Sequence, residues 1–319
     1  MRGTGEPTVE IRVAATWRGD IGKRPETVAG ASGFDVNIGK TGCGRAGEAA
    51  NRQELRMRLV FRCDDAGASL GATLAIAECV RRGVGRCVSV MVPGPGFEAS
   101  VPELRKLVAE AGGEVELGLH IVLNSEWKRH RGSAVEPARW GPVLPASQVP
   151  SLVLEDGTFW HTPMDFHQRQ ASTDEMAAEV EAQLRRGLEA GLALTYADEH
   201  MGVGWLPGLR EKLRAVVTRY GLKYSEGAPL AGLPGVEGGF ETPWARLAAQ
   251  IRAAPEGDYL YVSHPNRMDE DAHRMMGEDL PPGQVAGERE LDRQMLQHPE
   301  VLGAIRERGA RLICYRDVL

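Results

Sequence analysis

The sequence of 319 residues has no run approaching the roughly 18 consecutive apolar residues that a membrane-spanning helix needs. Its start lacks a basic segment followed by an apolar stretch and a small-residue cleavage site. The cytoplasm is therefore its expected place. Dense Lys/Arg clusters are also missing, and the formal net charge is -6 at pH 7. Phosphate backbones and anionic bilayers bind positive faces, so neither a nucleic acid nor a membrane is an expected partner. No C-x-x-C pair occurs among the 5 cysteines, Cys43, Cys63, Cys79, Cys87 and Cys314, and this spacing suits neither a disulfide scaffold nor a zinc ribbon. They read as reduced packing residues, Cys63 and Cys314 within apolar, strand-like runs. No glycine-rich phosphate loop follows the first apolar strand, where D-D-A-G-A-S-L-G stands instead, so no nucleotide cofactor is expected.

With 42% hydrophobic residues, the chain can build a sizeable core. Residues 1–56 differ from the rest. They are rich in Gly, Thr, Ala and Arg, net basic where the remainder is net acidic, and without sustained periodicity. They read as a disordered N-terminal extension, or as residues of an upstream start assignment ahead of a true start at Met57, where M-R-L-V-F opens a strand. From there short apolar runs alternate with helical stretches, the pattern of β/α units around a parallel sheet. Strands are expected at 59–63, 87–92, 115–119, 192–197, 222–225, 259–263 and 311–315. Helices are expected at 71–82, 101–111, 173–190, 206–220, 243–254 and 288–308, the last broken near Pro299. Seven such units predict an incomplete TIM-like (β/α)7 barrel, whose site forms at the C-terminal strand ends. The irregular stretch from Asn124 to Thr162 reads as a lid or binding loop.

The polar residues at those strand ends carry the chemistry. Asp64 and Asp65 follow the first strand, His120 the third, Asp198 and His200 the fourth, and His264 the sixth. Asp and His bind divalent metals and shuttle protons. Neighbouring strand residues face opposite ways, so adjacent Asp64 and Asp65 suit two different jobs, although such a pair can also simply cap the next helix. Asp198 and His200 share a face if the strand persists, which lets Asp198 orient His200. Two His and one Asp leave open positions on one divalent ion for water and substrate. Asp64 can then take the proton of an attacking water, and His264, held at the rim by Pro265, can protonate a departing amine. His161, His167, His273, the Met275-Met276 pair and the acidic run 269–271 read as loop surface.

These motifs resemble the YdjC-like family of carbohydrate deacetylases. The family's D-D-F-G is matched by Asp64-Asp65-Ala66-Gly67 and its G-x-H by Gly118-Leu119-His120. Its T-H-x-D-x-H is matched by Thr195 to His200 and its C-H-P by Ser263-His264-Pro265. The resemblance runs from Met57 nearly to Leu319. It implies a barrel-type hydrolase removing N-acetyl groups from an amino sugar or short oligosaccharide. It also implies one divalent ion, Mg2+ or Zn2+, held by Asp65, His120 and His200, with Asp64 as general base. Arg289 resembles a family position that steadies Asp64 or a substrate oxygen. Ala66 stands for the usual Phe, Tyr196 for the usual His, and M-G-V-G at 201–204 replaces further histidines; these departures touch the substrate's identity rather than metal capture.

Glu126 and Trp127, in L-N-S-E-W, read as substrate-contacting. Trp127, Trp140 and Trp160 either stack on sugar rings or pack the loop against the barrel. The expected partner is a small N-acetylated sugar; a homodimer is allowed. Two other classes compete: a metal-dependent phosphoesterase or non-sugar amidase, and a sugar-binding relative without turnover. The absence of Lys or Arg from the four strand-end motifs speaks against the phosphoesterase, and retention of Asp64 against the binding protein.

Overall fold

A computed structural model describes residues 57–319; the expected N-terminal extension, 1–56, lies outside the described residues. The chain begins with β1 (Arg58–Ala66) and α1 (Leu70–Arg82), whose first turn is capped by the Ser69 hydroxyl accepting from the Ala72 N–H. β2 (Cys87–Val90), α2 (Phe97–Glu110) and β3 (Glu116–Ile121) follow. After the long insertion come α3 (Pro163–Arg169), α4 (Thr173–Glu189) and β4 (Leu194–Glu199). Then come α5 (Leu209–Arg219), β5 (Lys223–Tyr224), β6 (Ala231–Gly232), α6 (Pro243–Ala253) and β7 (Asp258–Ser263). The last elements are α7 (Glu270–His273), α8 (Gln284–Met295), α9 (Pro299–Glu307) and β8 (Arg311–Leu312).

Every strand pair is parallel, and the order β5-β4-β3-β2-β1-β7-β6 leaves β5 and β6 as open edges. The sheet is thus a curled, unclosed barrel. β8 pairs with Arg58 and Leu59 at the start of β1, below the point where β2 joins at Arg62. Two differences from the sequence reading are an unexpected strand, β6, and an earlier start of α2. β6 has only two exposed residues and no apolar signal. α2 starts at Phe97 rather than 101, because its buried residues Phe97, Ser100, Leu104 and Leu107 keep helical spacing past Pro102. The expected break near Pro299 separates α8 from α9.

Alternation along the strands sorts the core. Leu59, Phe61 and Cys63 of β1, and Leu117, Leu119 and Ile121 of β3, join the large cluster under the helices. Val60 packs instead with Cys87, Tyr196, Ile313, Cys314 and Tyr315 in a smaller cluster. The described cysteines, Cys63, Cys79, Cys87 and Cys314, are free and buried. Met275 and Met276, read from sequence as surface, are buried at 2% and 7% exposure because the chain there turns under the insertion, with Lys128 N–H donating to the Met276 carbonyl at 3.0 Å. No helix among the described residues is long and apolar enough to cross a membrane.

Gly118 fixes the barrel interior at β3. A Cβ there would lie 2.3 Å from the Tyr196 ring, far inside contact distance, and that ring is 1% exposed. Gly118→Ala should therefore destabilise the fold by about 1–3 kcal/mol through overpacking. A urea midpoint that falls at unchanged slope is the expected result; an unshifted midpoint would show that Tyr196 is free to give way.

Candidate metal centre

The site grows from an irregularity in β1. The β1–β2 register shifts between Cys63 and Ala66, and Asp65 adopts a left-handed φ of 70°. That conformation is rare outside glycine but tolerated by Asp. The bulge breaks strict alternation and lets both acids be used, Asp64 and Asp65 each 2% exposed. His120 is the penultimate residue of β3, and His200 opens the tight turn His200–Trp205 after β4.

Three atoms from these elements form a near-equilateral triangle. His120 Nε2 lies 3.3 Å from His200 Nδ1 and 3.4 Å from Asp65 Oδ1, and His200 Nδ1 is 3.6 Å from that oxygen. Asp65 Oδ1 is buried without a hydrogen-bond partner, a costly state for a carboxylate oxygen. Ligand bonds of about 2.0–2.1 Å in tetrahedral geometry place donors about 3.4 Å apart, so the triad fits a divalent ion.

Each member is held from behind. Arg289 Nη1 donates to Asp65 Oδ2 at 2.7 Å, leaving Oδ1 free. His120 Nδ1 contacts Asp198 Oδ1 at 2.5 Å, and His200 Nε2 contacts Glu126 Oε2 at 2.9 Å. Asp198 thus supports His120, where the sequence reading paired it with His200. The cause is register: Asp198 sits directly opposite His120 in the β3–β4 pairing, while His200 has already left the strand. Glu126, read as a substrate contact, takes the His200 role. Arg289 grips Asp65 rather than Asp64, with its guanidinium 5.6 Å above the half-buried Trp127 ring.

Asp64 is bound on both oxygens by Arg62, Nε to Oδ1 at 2.7 Å and Nη2 to Oδ2 at 2.8 Å. Arg62 Nε also lies 3.2 Å from Asp198 Oδ2, which Ser89 Oγ meets at 2.5 Å. Asp64, His120 and Asp198 form another carboxylate–imidazole cluster, but the Arg62 cation already stands among them. His264 is half-buried, its backbone N–H donating to Asp292 Oδ2 at 2.8 Å. Trp140 is 4% exposed, in an edge-to-face arrangement with His200 at 6.2 Å between centroids, and Arg169 covers Trp160 at 3.6 Å; both pack the insertion. His167 and His273 are exposed as expected, whereas His161 is half-buried with Nδ1 3.0 Å from the Ser125 carbonyl.

The sequence reading missed Arg62, although a signal for it was present. An arginine in the run L-V-F-R-C-D-D stands two residues before Asp64, hence on the same face. Ser89 in C-V-S-V gave a weaker sign of the same kind. Tyr315, whose hydroxyl accepts from Arg62 Nη1 at 3.2 Å, gave none.

The charges settle one another. Burial would raise both aspartate pKa values, but Arg62 and then His120 hold Asp64 below the ordinary range, and Arg289 with the two imidazoles holds Asp65 well below it. Burial would lower His120, yet Asp198 and Asp64 push it up to about 10; against the same burial, Glu126 and Asp65 push His200 up to about 9.

A parallel, incompletely closed barrel with a carboxylate and two imidazoles converging on its C-terminal rim defines a (β/α) protein with a candidate metal centre. The family model for YdjC-like proteins matches residues 58–307, and the chain belongs to that family. A carbohydrate deacetylase of Brevibacillus brevis is 33% identical over 153 residues, covering 48% of this chain and 52% of that protein. The chain's match thus spans about half the length of that relative. A carbohydrate deacetylase of Thermoanaerobacter pseudethanolicus is 22% identical over 270 residues, 81% of this chain and 97% of that protein. The crystal structure of an Enterococcus faecalis protein, provisionally named for cellobiose-phosphate cleavage, superposes with a TM-score of 0.64 at 21% identity. It covers 83% of this chain and 100% of that one, and shows the shared fold.

The raised imidazole values define how a cation enters. Both folded-state values lie above the ordinary histidine value of about 6.5. In the metal-free chain their stabilising contribution is therefore complete below that pH and is lost as pH climbs through about 9 and 10. Ligation needs neutral imidazole, so zinc uptake at pH 7 should release protons. Affinity should rise by up to about a hundredfold per pH unit, two protons being displaced, until the imidazoles titrate. Calorimetry in buffers of different ionisation enthalpy measures this; zinc affinity independent of pH, with no proton release, would contradict it.

Proposed function

We propose that this chain is a metal-dependent deacetylase that removes the N-acetyl group of an amino sugar or short oligosaccharide. The observation that carries this reading is the triangle of His120 Nε2, His200 Nδ1 and Asp65 Oδ1, whose buried Oδ1 lacks a hydrogen-bond partner. The carbohydrate deacetylases it resembles agree with it. Asp65, His120 and His200 would hold one divalent ion, Mg2+ or Zn2+. Bound there, that ion supplies Lewis acidity toward the acetyl carbonyl and lowers the pKa of water.

The chain's own groups do the rest. Asp64, kept ionised by Arg62, is in the proton-accepting form throughout the neutral range and takes the proton of the attacking water. Asp198 and Glu126 keep His120 and His200 oriented by occupying the ring nitrogens that face away from the triad. Arg289 fixes Asp65 so that its other oxygen points at the two imidazoles. His264, anchored through its backbone by Asp292, stands at the rim to protonate the departing amine. Four buried free thiols agree with action in the cytoplasm.

Asp64→Asn should retain the metal and lower kcat by about 100- to 10,000-fold, the usual worth of a general base. His120→Ala and His200→Ala should lose metal and activity together. Acetate release across N-acetylated mono- and oligosaccharides, with zinc and magnesium supplied in turn, tests the substrate class. Hydrolysis of aryl phosphates with no acetate released would overturn it.

A further inference from the structure

Arg62 is a cation placed inside the barrel, with a side chain 12% exposed, on a strand whose residues after Arg58 are otherwise apolar or acidic. Its guanidinium binds three groups at once: both oxygens of Asp64, Asp198 Oδ2 at 3.2 Å, and the Tyr315 hydroxyl at 3.2 Å. Asp64 and Asp198 belong to different halves of the site. Asp64 faces the reacting water in the proposed mechanism, and Asp198 orients the ligand candidate His120. One planar group therefore sets the spacing between them. A guanidinium fork suits this role, because its donors are fixed in one plane and match a carboxylate two at a time, whereas an ammonium is a point charge.

The fork is itself clamped. Tyr315 opens the turn Tyr315–Asp317, lies 1% exposed against Tyr196 with ring centroids 4.7 Å apart, and falls outside the family-matched residues 58–307. β8, which ends three residues earlier at Leu312, is hydrogen-bonded to the start of β1. The segment that carries Tyr315 is thus fastened to the strand that carries Arg62.

We propose that Arg62 is a positioning residue that locks Asp64 and Asp198 in fixed relation to the triad, with Tyr315 holding Arg62 in its working rotamer. The kinetic side of this proposal rests on the deacetylase reading; the structural side does not. The test compares Arg62→Ala, Arg62→Lys and Tyr315→Phe with the wild-type chain by acetate-release kinetics, zinc stoichiometry and crystal structures with and without guanidinium, at concentrations far below denaturing ones. Arg62→Ala should lose about 100-fold in kcat, the cost of misplacing a reacting group by about 1 Å. KM and zinc stoichiometry should change little.

Guanidinium should restore part of the Arg62→Ala activity and return the Asp64 carboxylate to its wild-type place. Arg62→Lys should stay slow and resist rescue, and Tyr315→Phe should show a smaller loss of the same kind. Full kcat in Arg62→Lys, or an Asp64 carboxylate unmoved without Arg62, overturns the proposal. Two uncompensated carboxylates can prevent Arg62→Ala from folding; the lysine variant then decides. A wild-type chain that releases no acetate refutes the deacetylase reading alone, and the position of Asp64 in the variants still decides the role of Arg62.

Discussion

The barrel can keep Asp64, Asp65 and Asp198 inside only because two arginines and two histidines are interleaved with them. An ionised carboxylate taken from water without a partner costs several kcal/mol even after relaxation, and each of these three is 1% or 2% exposed. Arg62 answers Asp64 and Asp198, Arg289 answers Asp65, and the imidazoles supply the remaining contacts. The arrangement leaves one defect, Asp65 Oδ1, at the spot where both imidazoles also turn a nitrogen. A network satisfied everywhere but at one oxygen is what a preformed cation site requires.

The fold serves that network through three local choices. A bulge at the end of β1 turns two successive acids to use. The β3–β4 register sets Asp198 against His120, and the turn after β4 carries His200 off the strand toward Glu126. Gly118 opens the space that the Tyr196 ring fills beside β3.

The strand ends were legible because parallel strands under helices leave long apolar runs, and an Asp or His at the end of such a run stands out. Asp65, His120 and His200 meet as their positions suggested. The pairings behind them were not legible. Whether Asp198 supports His120 or His200 depends on inter-strand register, which no single segment encodes, and Glu126 and Arg289 reach the site from segments 74 and 224 residues away from their partners. Short elements escaped for another reason: β6 and α7 have two and four residues, too few to show a period. The N-terminal extension, 1–56, is outside the residues on which this comparison can be made.

The insertion after β3 is stapled down rather than hanging free. Buried Glu179 of α4 accepts from the Val143 and Leu144 N–H groups at 2.9 and 3.0 Å, Glu175 accepts from both the N–H and the hydroxyl of Ser151, and the Trp140 indole donates to the Asn124 carbonyl at 2.8 Å. A mouth ordered in advance spares each arriving molecule the entropy of arranging it. The same stiffness narrows the shapes that can enter, so selectivity is set by the contour of these walls and hardly by their yielding.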